Sequence, residues 1–486
     1  MAGIGFALRD LMRKDGLWSL IESQLHGVVA VAGPWFFTIV AMALPSLLLD
    51  PRTGEAATAE FVTLLLYVFS VSLTLSSPIA IALTRHVSDC MYQKREDEIA
   101  PSFVAALAVS LATVVPVAWA ADVFLDLPTE WVPHALTAYA LVTTNWIAAP
   151  MLSTVRQFRM LTFAFGLGTL VFYGMIAGNR HQTAAQLLVG FNVGMAATNA
   201  VVCALILHNF AGPAGPVRGL FTSALKYWEL SLSGLLYGVG IWVDKWLMWT
   251  APEHATVRGG LISYPTYDTA VFVAYVTTVP ALALFIVKAE TTLAESCEAL
   301  YRTIQDHGDH QRLLLARGRI LQAFVGSSRD VGLVQLSVTL LVLLLPTIVL
   351  GAVGVPQSAV FLLRFCAMGA AFQSGVLMLT IVLHYFDSRR SVLHINLVFL
   401  LTNTVFSWVS VRMGEPWYGT GYFVACVVTF AFAYWAVQRT FANMLYLAFV
   451  RQNAAVIEAK VLPPLVTQHF SPTLKPGPLD QPQGQA

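Results

Sequence analysis

The sequence has 486 residues, of which 57% are hydrophobic and 11% are charged, and its formal net charge is +1. A soluble domain carries roughly 25% charged residues, so this composition indicates a membrane protein. The near-zero net charge argues against a nucleic-acid partner, and an odd number of cysteines, five, argues against a disulfide framework.

Twelve apolar stretches are long enough to cross a bilayer as helices, since roughly 20 residues span about 30 Å of hydrocarbon. The alternating pattern of a transmembrane barrel is absent, so the sequence predicts an all-α integral membrane protein. The predicted spans are 25–49, 60–84, 101–124, 132–155, 160–178, 187–209, 224–250, 269–288, 331–353, 358–384, 393–412 and 420–442. Pro34, Pro78, Pro280 and Pro346 are expected to kink spans 1, 2, 8 and 9.

Basic residues concentrate in the loops on one side of the membrane. Arg85, Lys94 and Arg95 follow span 2, and Arg389 and Arg390 follow span 10, whereas the opposite loops carry isolated arginines. The positive-inside rule therefore predicts a multi-pass protein with both termini in the cytoplasm.

Six spans return the chain to its starting side, which predicts two six-helix lobes of like orientation around a central cavity. The Gly/Pro-rich stretch 208–219 is typical of a linker between lobes. The predicted organisation is a cytoplasmic amphipathic N-terminus 1–24, an N-terminal lobe 25–210, a linker 211–223, a C-terminal lobe 224–443 with a helical cytoplasmic excursion 289–330, and a cytoplasmic tail 444–486 whose end is disordered.

Span 7 carries a polar stripe, because residues three and four apart share one helix face. Polar groups at membrane depth face a bundle interior or water, so this face is expected to line a transport path. Ordinary polar contacts between helices are the alternative. The face consists of Lys226, Glu229, Ser233, Tyr237, Gly240 and Asp244.

Asp244 requires a partner, since charges inside a membrane usually pair. Arg364 of span 10 lies at a matching depth and is the first candidate, with Lys245 and Arg258 as alternatives. Lys245 itself points about 100° away from Asp244 on an ideal helix and is expected to be an anchor at the outer membrane boundary. Trp242, Trp246 and Trp249 form a neighbouring stripe, interpreted as an interfacial aromatic belt or as a sugar-stacking platform.

Other polar residues inside the spans extend the predicted path. Glu22 and His26 share a face at the cytoplasmic end of span 1, and Gln373 lies within span 10. His26 could relay protons or be structural. The amides Asn145, Asn192, Asn199, Asn396 and Asn403 are each typical of contacts between helices and together fit an uncharged polar lining.

Motifs for catalysis are missing from the sequence. Neither a phosphate-binding G-x-x-x-x-G-K-[ST] loop nor a G-x-S-x-G nucleophile elbow occurs, and DHGDH at 306–310 is more typical of a solvated loop than of a metal site. The longest soluble stretch is too short for a transferase domain. We therefore expect a protein that is not an enzyme and holds no cofactor or metal.

Several blocks resemble the Pel exopolysaccharide exporter family (PelG) over residues 1–450. They are MAGIGFALRDLMRKD at the start, AGPWFF at 32–37, TRHVSDCMYQKREDEI at 84–99, GIWVDKWLMW at 240–249, RFCAMGAAFQ at 364–373 and HYFDSRR at 384–390. The resemblance implies a MATE-like member of the multidrug/oligosaccharidyl-lipid/polysaccharide exporter superfamily. It also implies export of an N-acetylgalactosamine-rich polymer across the bacterial inner membrane, in support of biofilm matrix formation.

The same resemblance implies a synthase complex. Its other members would be a cytosolic glycosyltransferase using a UDP-sugar, a cyclic-di-GMP receptor subunit and a membrane scaffold subunit. Alternatives on the same fold are a lipid-linked oligosaccharide flippase and an ion-coupled drug or metabolite antiporter, and a non-transporting scaffold is a third class. Purification with a bound glycosyltransferase would favour polymer export.

Overall fold

The computed structural model describes residues 54–155, 158–178, 181–210, 218–306, 309–352 and 359–444, together with a few positions between 41 and 49. The described chain is helical apart from one short hairpin. It divides into a large compact unit that ends at Gln438 and a C-terminal unit that begins at Arg439. Within the described ranges, nine helical segments are long and apolar enough to cross a membrane, which agrees with the predicted all-α membrane class.

The first half of the chain contains six described helices. They are α1 (Gly54–Tyr92), α2 (Ile99–Ala112), α3 (Val114–Phe124), α4 (Val132–Val155), α5 (Phe158–Ala177) and α6 (Ala184–Asn209). A cluster of aromatic rings from α1, α5 and α6 lies at the centre of their shared core. The ring centroids of Phe61 and Phe172 are 6.0 Å apart, and Phe191 packs edge-on against Phe172 at 6.2 Å. Edge-to-face packing of this kind adds to the stabilisation from burial.

The second half begins after the linker. Its helices are α7 (Arg218–Lys226), α8 (Trp228–Gly240), α9 (Val243–Met248), α10 (Pro265–Val276), α11 (Val279–Lys288), α12 (Ala294–Gln305), α13 (His310–Leu344), α14 (Pro346–Ala352), α15 (Val360–Tyr385), α16 (Arg389–Met413) and α17 (Thr420–Ala442). Strands β1 (Ala255–Thr256) and β2 (Ile262–Ser263) pair antiparallel between α9 and α10.

Several predicted spans are broken into shorter helices. Span 8 divides into α10 and α11 just before Pro280, and span 9 is interrupted at Leu345 before Pro346. Proline lacks the backbone N–H that would continue the preceding turn, which explains both breaks. Pro78, in contrast, lies inside the continuous helix α1. Pro34 and most of span 1 lie outside the described residues.

Span 7 is interrupted without a proline. Helix α8 ends at Gly240 and α9 begins at Val243. The carbonyl of Gly240 accepts a hydrogen bond from Nδ2 of Asn403 on α16, at 2.9 Å. That carbonyl would accept the N–H of Asp244 in a regular helix. A side chain from a neighbouring helix therefore bonds to the backbone at the point where the span is interrupted.

Helix α8 lies between α1 of the first half and α16 of the second. Gly234 and Gly238 form a small-xxx-small pair, which allows close approach of two membrane helices. A Cβ on Gly234 would come within 3.0 Å of the Ser77 carbonyl oxygen, and one on Gly238 within 3.1 Å of the Thr74 Cα. The backbones of α8 and α1 are thus nearly in contact.

The segment predicted as a helical excursion, 289–330, is helical in the structure. Helix α12 and the first part of α13 form it, with Leu300, Leu313 and Ile320 buried. The side chain of Asp309 caps α13 by accepting the backbone N–H of Arg312 at 2.8 Å. An aspartate at this position satisfies a donor that the first turn leaves unpaired. Helix α13 then continues into the predicted ninth span, without a boundary at residue 330.

The hairpin contacts the first half of the chain. Its turn contains Gly259 and Gly260 with φ of +79° and +71°, a conformation that favours glycine. A Cβ on Gly259 would meet Pro128 at 2.7 Å, in the loop between α3 and α4. Beside this contact, Arg258 pairs with Glu130 at 3.4 Å and lies 5.6 Å from the centre of the Trp131 ring. The hairpin tip therefore bridges the two halves.

Candidate functional site

Asp244 is the centre of a buried polar network on α9. Its side chain is fully buried, and its carboxylate accepts hydrogen bonds from Tyr267 Oη at 2.8 Å and from Asn403 Nδ2 at 3.3 Å. Ser407 donates to Asn403 Oδ1 at 3.0 Å and so orients the amide. A buried carboxylate is tolerated only when it is paired and hydrogen-bonded, and this network supplies both conditions.

The ion-pair partner of Asp244 is Lys245, not the predicted Arg364. The Lys245 ammonium lies 3.2 Å from Asp244 Oδ2 and donates to the Ile241 carbonyl at 2.9 Å. Lys245 is 6% exposed, so the predicted role as a boundary anchor is wrong. Arg364 is partly buried on α15 and makes no ion pair with any described residue.

The length of the lysine side chain explains this correction. Asp244 and Lys245 are neighbours within α9, where ideal helix geometry places adjacent residues about 100° apart. The long stem of Lys245 nevertheless lets the ammonium reach back to its neighbour's carboxylate. Its charge also faces the rings of Tyr275 and Trp242, with centroids 5.1 Å and 5.5 Å away, an arrangement that stabilises a buried cation.

The predicted polar face of span 7 is largely a contact with α16. Asn396 donates to Ser233 Oγ at 2.7 Å, and Asn403 bonds to Gly240 as described above. A Cβ on Gly240 would meet Phe399 at 2.9 Å. In this conformation these groups satisfy one another between helices, which was the alternative interpretation of the stripe.

The remaining members of the face have separate surroundings. Tyr237 is half-buried and lies within hydrogen-bonding reach of Gln373. Glu229 is buried near two arginines of α16, with its oxygens 3.9 Å from Arg389 and 3.7 Å from Arg390. Lys226 is exposed at the end of α7. Glu22 and His26 lie outside the described residues.

The three tryptophans do not form a uniform interfacial belt. Trp242 and Trp249 are buried and Trp246 is half-buried. The indole Nε1 of Trp249 donates to both oxygens of Asp268, at 3.1 Å and 3.0 Å, and its ring stacks on Tyr67 at 4.7 Å with an interplanar angle of 18°. Trp249 therefore connects α10 of the second half to α1 of the first.

A cavity of about 880 Å³ lies between α1 on one side and the hairpin and α10 on the other. Thr63 Oγ1 and Ser263 Oγ, from opposite walls, are 3.4 Å apart, and the Tyr67 hydroxyl donates to the Ile262 carbonyl at 3.0 Å. Its wall carries carboxylates, hydroxyls and one guanidinium, from Glu55, Thr58, Glu60, Thr63, Thr256, Arg258, Ser263, Asp268 and Thr269.

A second, mostly apolar cavity lies beside the first. Asp268 and Leu66 line both, and the second cavity is also lined by Lys245, Trp242 and Tyr275. Lys245 of the buried ion pair is therefore separated from the wide cavity by the side chains that the two cavities share. Such an arrangement can bind a hydroxyl-rich ligand in the wide cavity.

The sequence analysis did not identify Asp268, Tyr67 or Tyr267 as residues of this site. Asp268 lies one residue before the predicted span 8, and an acidic residue next to an apolar run can indicate a functional position. Tyr67 and Tyr267 carry no local signal, because their importance comes from stacking and hydrogen bonding across the fold.

Comparisons with known proteins give a family and a fold. Residues 1–449 match the model of PelG, the exopolysaccharide exporter (EPS-E) family. No curated protein matches the chain significantly.

Solved structures of transporters share the fold. An outward-facing MATE multidrug transporter of the MOP superfamily has 13% identity and a TM-score of 0.59, covering 90% of this chain and 98% of its own. An inward-facing MATE transporter has 13% identity and a TM-score of 0.57, covering 85% and 98%. A MOP superfamily transporter from Pyrococcus furiosus, whose binding pocket is described as reversed in polarity, has 13% identity and a TM-score of 0.59, covering 90% and 97%.

Proposed function

The chain belongs to the PelG exopolysaccharide exporter family and has a transporter fold, and from this premise we propose that it moves a polysaccharide through the cavities between its two halves. The substrate we propose is the N-acetylgalactosamine-rich Pel polymer, exported across the bacterial inner membrane for a biofilm matrix. Twelve spans in two six-helix lobes, with both termini in the cytoplasm, complete the proposed architecture.

The wide cavity between α1, the hairpin and α10 is the observation that carries this proposal. A sugar chain offers many hydroxyl and amide groups, and the cavity wall carries carboxylate and hydroxyl oxygens to receive them. Apolar side chains such as Leu66, Val62 and Pro265 supply the rest of the lining, which suits the apolar faces of sugar rings.

The polar face of span 7 is proposed as a part of the path that opens in another conformation. Ser233, Gly240 and Asp244 now contact α16, so they would meet polymer only when α8 and α16 separate. Tyr237 and Gln373, which lie between α8 and α15, would be reached in the same movement. Lys226 and Glu229 would line the cytoplasmic entrance, and Glu22 and His26 remain predicted members of the path.

Blocking the cavity tests the proposal. Thr63→Trp and Ser263→Trp should each lower secreted polymer at least about tenfold, because both positions line the cavity and an indole would take up part of its volume. The assay uses a host that supplies the other synthase subunits and lacks this gene. Leu170→Trp, at a position 68% exposed on α5, is the matched control and should secrete normally at equal membrane level. Normal secretion by both cavity variants would refute the proposed path.

The synthase partners are tested separately. We propose that a cytosolic glycosyltransferase using a UDP-sugar, a cyclic-di-GMP receptor and a membrane scaffold bind this protein, and the missing catalytic motifs support a division of labour. Copurification from a host expressing all subunits should recover the glycosyltransferase in near-stoichiometric amount. Polymer secretion without any such association would refute the complex and leave the path intact.

Ion-coupled antiport is the second candidate, and the buried cluster of Asp244, Lys245 and Asp268 favours it. Such a protein would transport a small cation alone, in proteoliposomes, driven by a proton or sodium gradient. Gradient-driven transport lost in Asp244→Asn and independent of other subunits would support antiport over polymer export.

A further inference from the structure

Three metal-ligating side chains meet at the end of α1, away from the cavities. His86 and Cys90 are four residues apart on the last turns of the helix and therefore share one face. The chain then reverses through Lys94, which has φ of 59°, and a short 3₁₀ turn, Glu96–Glu98, brings Glu98 back to the same place. All three residues are buried, with 1%, 0% and 8% of their surfaces exposed.

The separations of the ligand atoms suit a tetrahedral metal. The imidazole, thiol and carboxylate atoms all lie within 4.8 Å of one another, and Cys90 Sγ is 3.4 Å from His86 Nε2. Zinc binds nitrogen, oxygen and sulfur at about 2.0–2.3 Å, which places tetrahedral ligands roughly 3.3–3.8 Å apart. The thiol and imidazole already have this spacing, and the carboxylate needs to move inward by about 1 Å.

Surrounding groups orient the ligands as a metal site requires. Ser223 Oγ lies 3.0 Å from His86 Nδ1, so this ring nitrogen is engaged and Nε2 faces Cys90. Arg95 forms an ion pair with Glu98 through Oε1. Hydrogen bonds to the second ring nitrogen and to the carboxylate are typical of the outer shell of metal sites.

Helix α7 closes the cluster through a glycine. A Cβ on Gly219 would lie 2.8 Å from His86 Cε1 and 2.9 Å from Glu98 Oε2. A side chain at position 219 would therefore displace the imidazole of His86 and the carboxylate of Glu98. Glycine at this position leaves room for both groups.

We propose that His86, Cys90 and Glu98 bind a zinc ion, with water as the fourth ligand. Imidazole nitrogen, thiolate sulfur and carboxylate oxygen are the three kinds of ligand atom that zinc takes in proteins. Binding converts the Cys90 thiol to a thiolate and releases its proton to solvent, so affinity rises with pH. Because Ser223 and Gly219 belong to α7, the bound ion fixes the helix that follows the linker to the end of α1.

Cobalt substitution tests the site in the purified full-length protein in detergent. We expect one Co²⁺ per chain, an absorption band from thiolate-to-cobalt charge transfer, and displacement by an equimolar amount of Zn²⁺. Cys90→Ser should lose the band, and His86→Gln and Glu98→Gln should each weaken binding at least about tenfold. Gly219→Ala should weaken binding as well, although it removes no ligand. The matched control is Cys297→Ser, a buried cysteine on α12, which should retain the band.

Stability gives an independent readout. Zinc should raise the melting temperature of the wild type and of Cys297→Ser but not of Cys90→Ser, because a ligand stabilises only the fold that binds it. A monodisperse wild-type protein that binds no cobalt, or one whose band survives Cys90→Ser, would overturn the proposal. In that case the 3.4 Å contact is only a hydrogen bond from the thiol to the imidazole.

Discussion

At the scale of single residues, Asp244 and Lys245 each stabilise the fold only while the other charge is present. Asp244→Asn leaves a buried ammonium without its counter-charge, and Lys245→Met leaves a buried carboxylate with hydrogen bonds only. Removing one partner of a buried ion pair costs about 3–5 kcal/mol, whereas replacing both costs much less. We expect each single variant to lower the melting temperature in detergent clearly, and the double variant Asp244→Asn/Lys245→Met to recover most of the loss. Additive losses in the double variant would contradict the pairing.

Two substitutions at Asp268 distinguish the effect of its charge from the effect of its hydrogen bond. Asp268→Asn keeps an oxygen that can accept the indole N–H of Trp249 but removes the charge from the wall that the two cavities share. Asp268→Leu removes both. If the charge contacts polymer, Asp268→Asn should reduce secretion about tenfold with a nearly unchanged melting temperature, while Asp268→Leu should also lower stability by roughly 1–3 kcal/mol from the unpaired indole. If Asp268→Asn secretes as much polymer as the wild type, the charge of Asp268 has no part in transport and the residue is structural.

The contacts of individual side chains at this site could be predicted from the sequence only in part. Helical spacing correctly put Ser233, Gly240 and Asp244 on one face, because α8 is regular over most of its length. It could not identify α16 as the neighbour, since the contacts with Asn396 and Asn403 join positions about 160 residues apart. The predicted position of Lys245 was wrong because its long side chain folds back into the buried network and does not extend to the membrane boundary.

At the scale of elements, close packing of α8 on α1 depends on Gly234. Gly234→Ala places a Cβ 2.6 Å from Ile81 Cδ1 and 3.0 Å from the Ser77 carbonyl oxygen. Ile81 can shift, but the backbone carbonyl cannot do so without moving α1, so we expect a loss of about 1–3 kcal/mol, measured as a lower melting temperature.

Gly318→Ala on α13 is the matched control, since the added Cβ would have no neighbour within 4 Å. Alanine favours a helix over glycine by about 1 kcal/mol, so this variant should be neutral or more stable. Equal effects at both positions would show that α8 and α1 are not packed as described.

Helix boundaries were predictable only in part. Hydropathy located the apolar stretches, and proline chemistry explains the breaks at Pro280 and Pro346. Pro78 lies within the continuous helix α1, since a proline can remain in a long membrane helix when neighbouring groups satisfy the freed carbonyl. The long helix α13 joins a predicted soluble segment to a predicted span, and a composition change at residue 330 does not interrupt backbone hydrogen bonds.

At the scale of the whole molecule, the cavity walls come from sequence-distant parts of the chain, and the proposed path requires these walls to separate. Thr63→Cys combined with Ser263→Cys would place two thiols where the walls meet, since the native oxygens are 3.4 Å apart. Oxidation should join α1 to the hairpin, abolish secretion and leave membrane level unchanged, and reduction should restore secretion. Each single cysteine variant serves as the control and should secrete in both conditions. Continued secretion by a fully cross-linked protein would contradict a path that opens between these walls.

The ion pair between Arg258 of the hairpin tip and Glu130 is expected to slow the separation of the cavity walls. Arg258 and Glu130 are about 60% exposed, and mobile ions screen charges at a surface over roughly 8–10 Å. The buried charges around Asp244 are shielded from such ions. Higher salt on the hairpin's side of the membrane should therefore loosen this exposed contact selectively, which would be measured as faster labelling of Thr63→Cys by a water-soluble thiol reagent. The ionic strength on that side would then set how readily the two halves part at the hairpin tip.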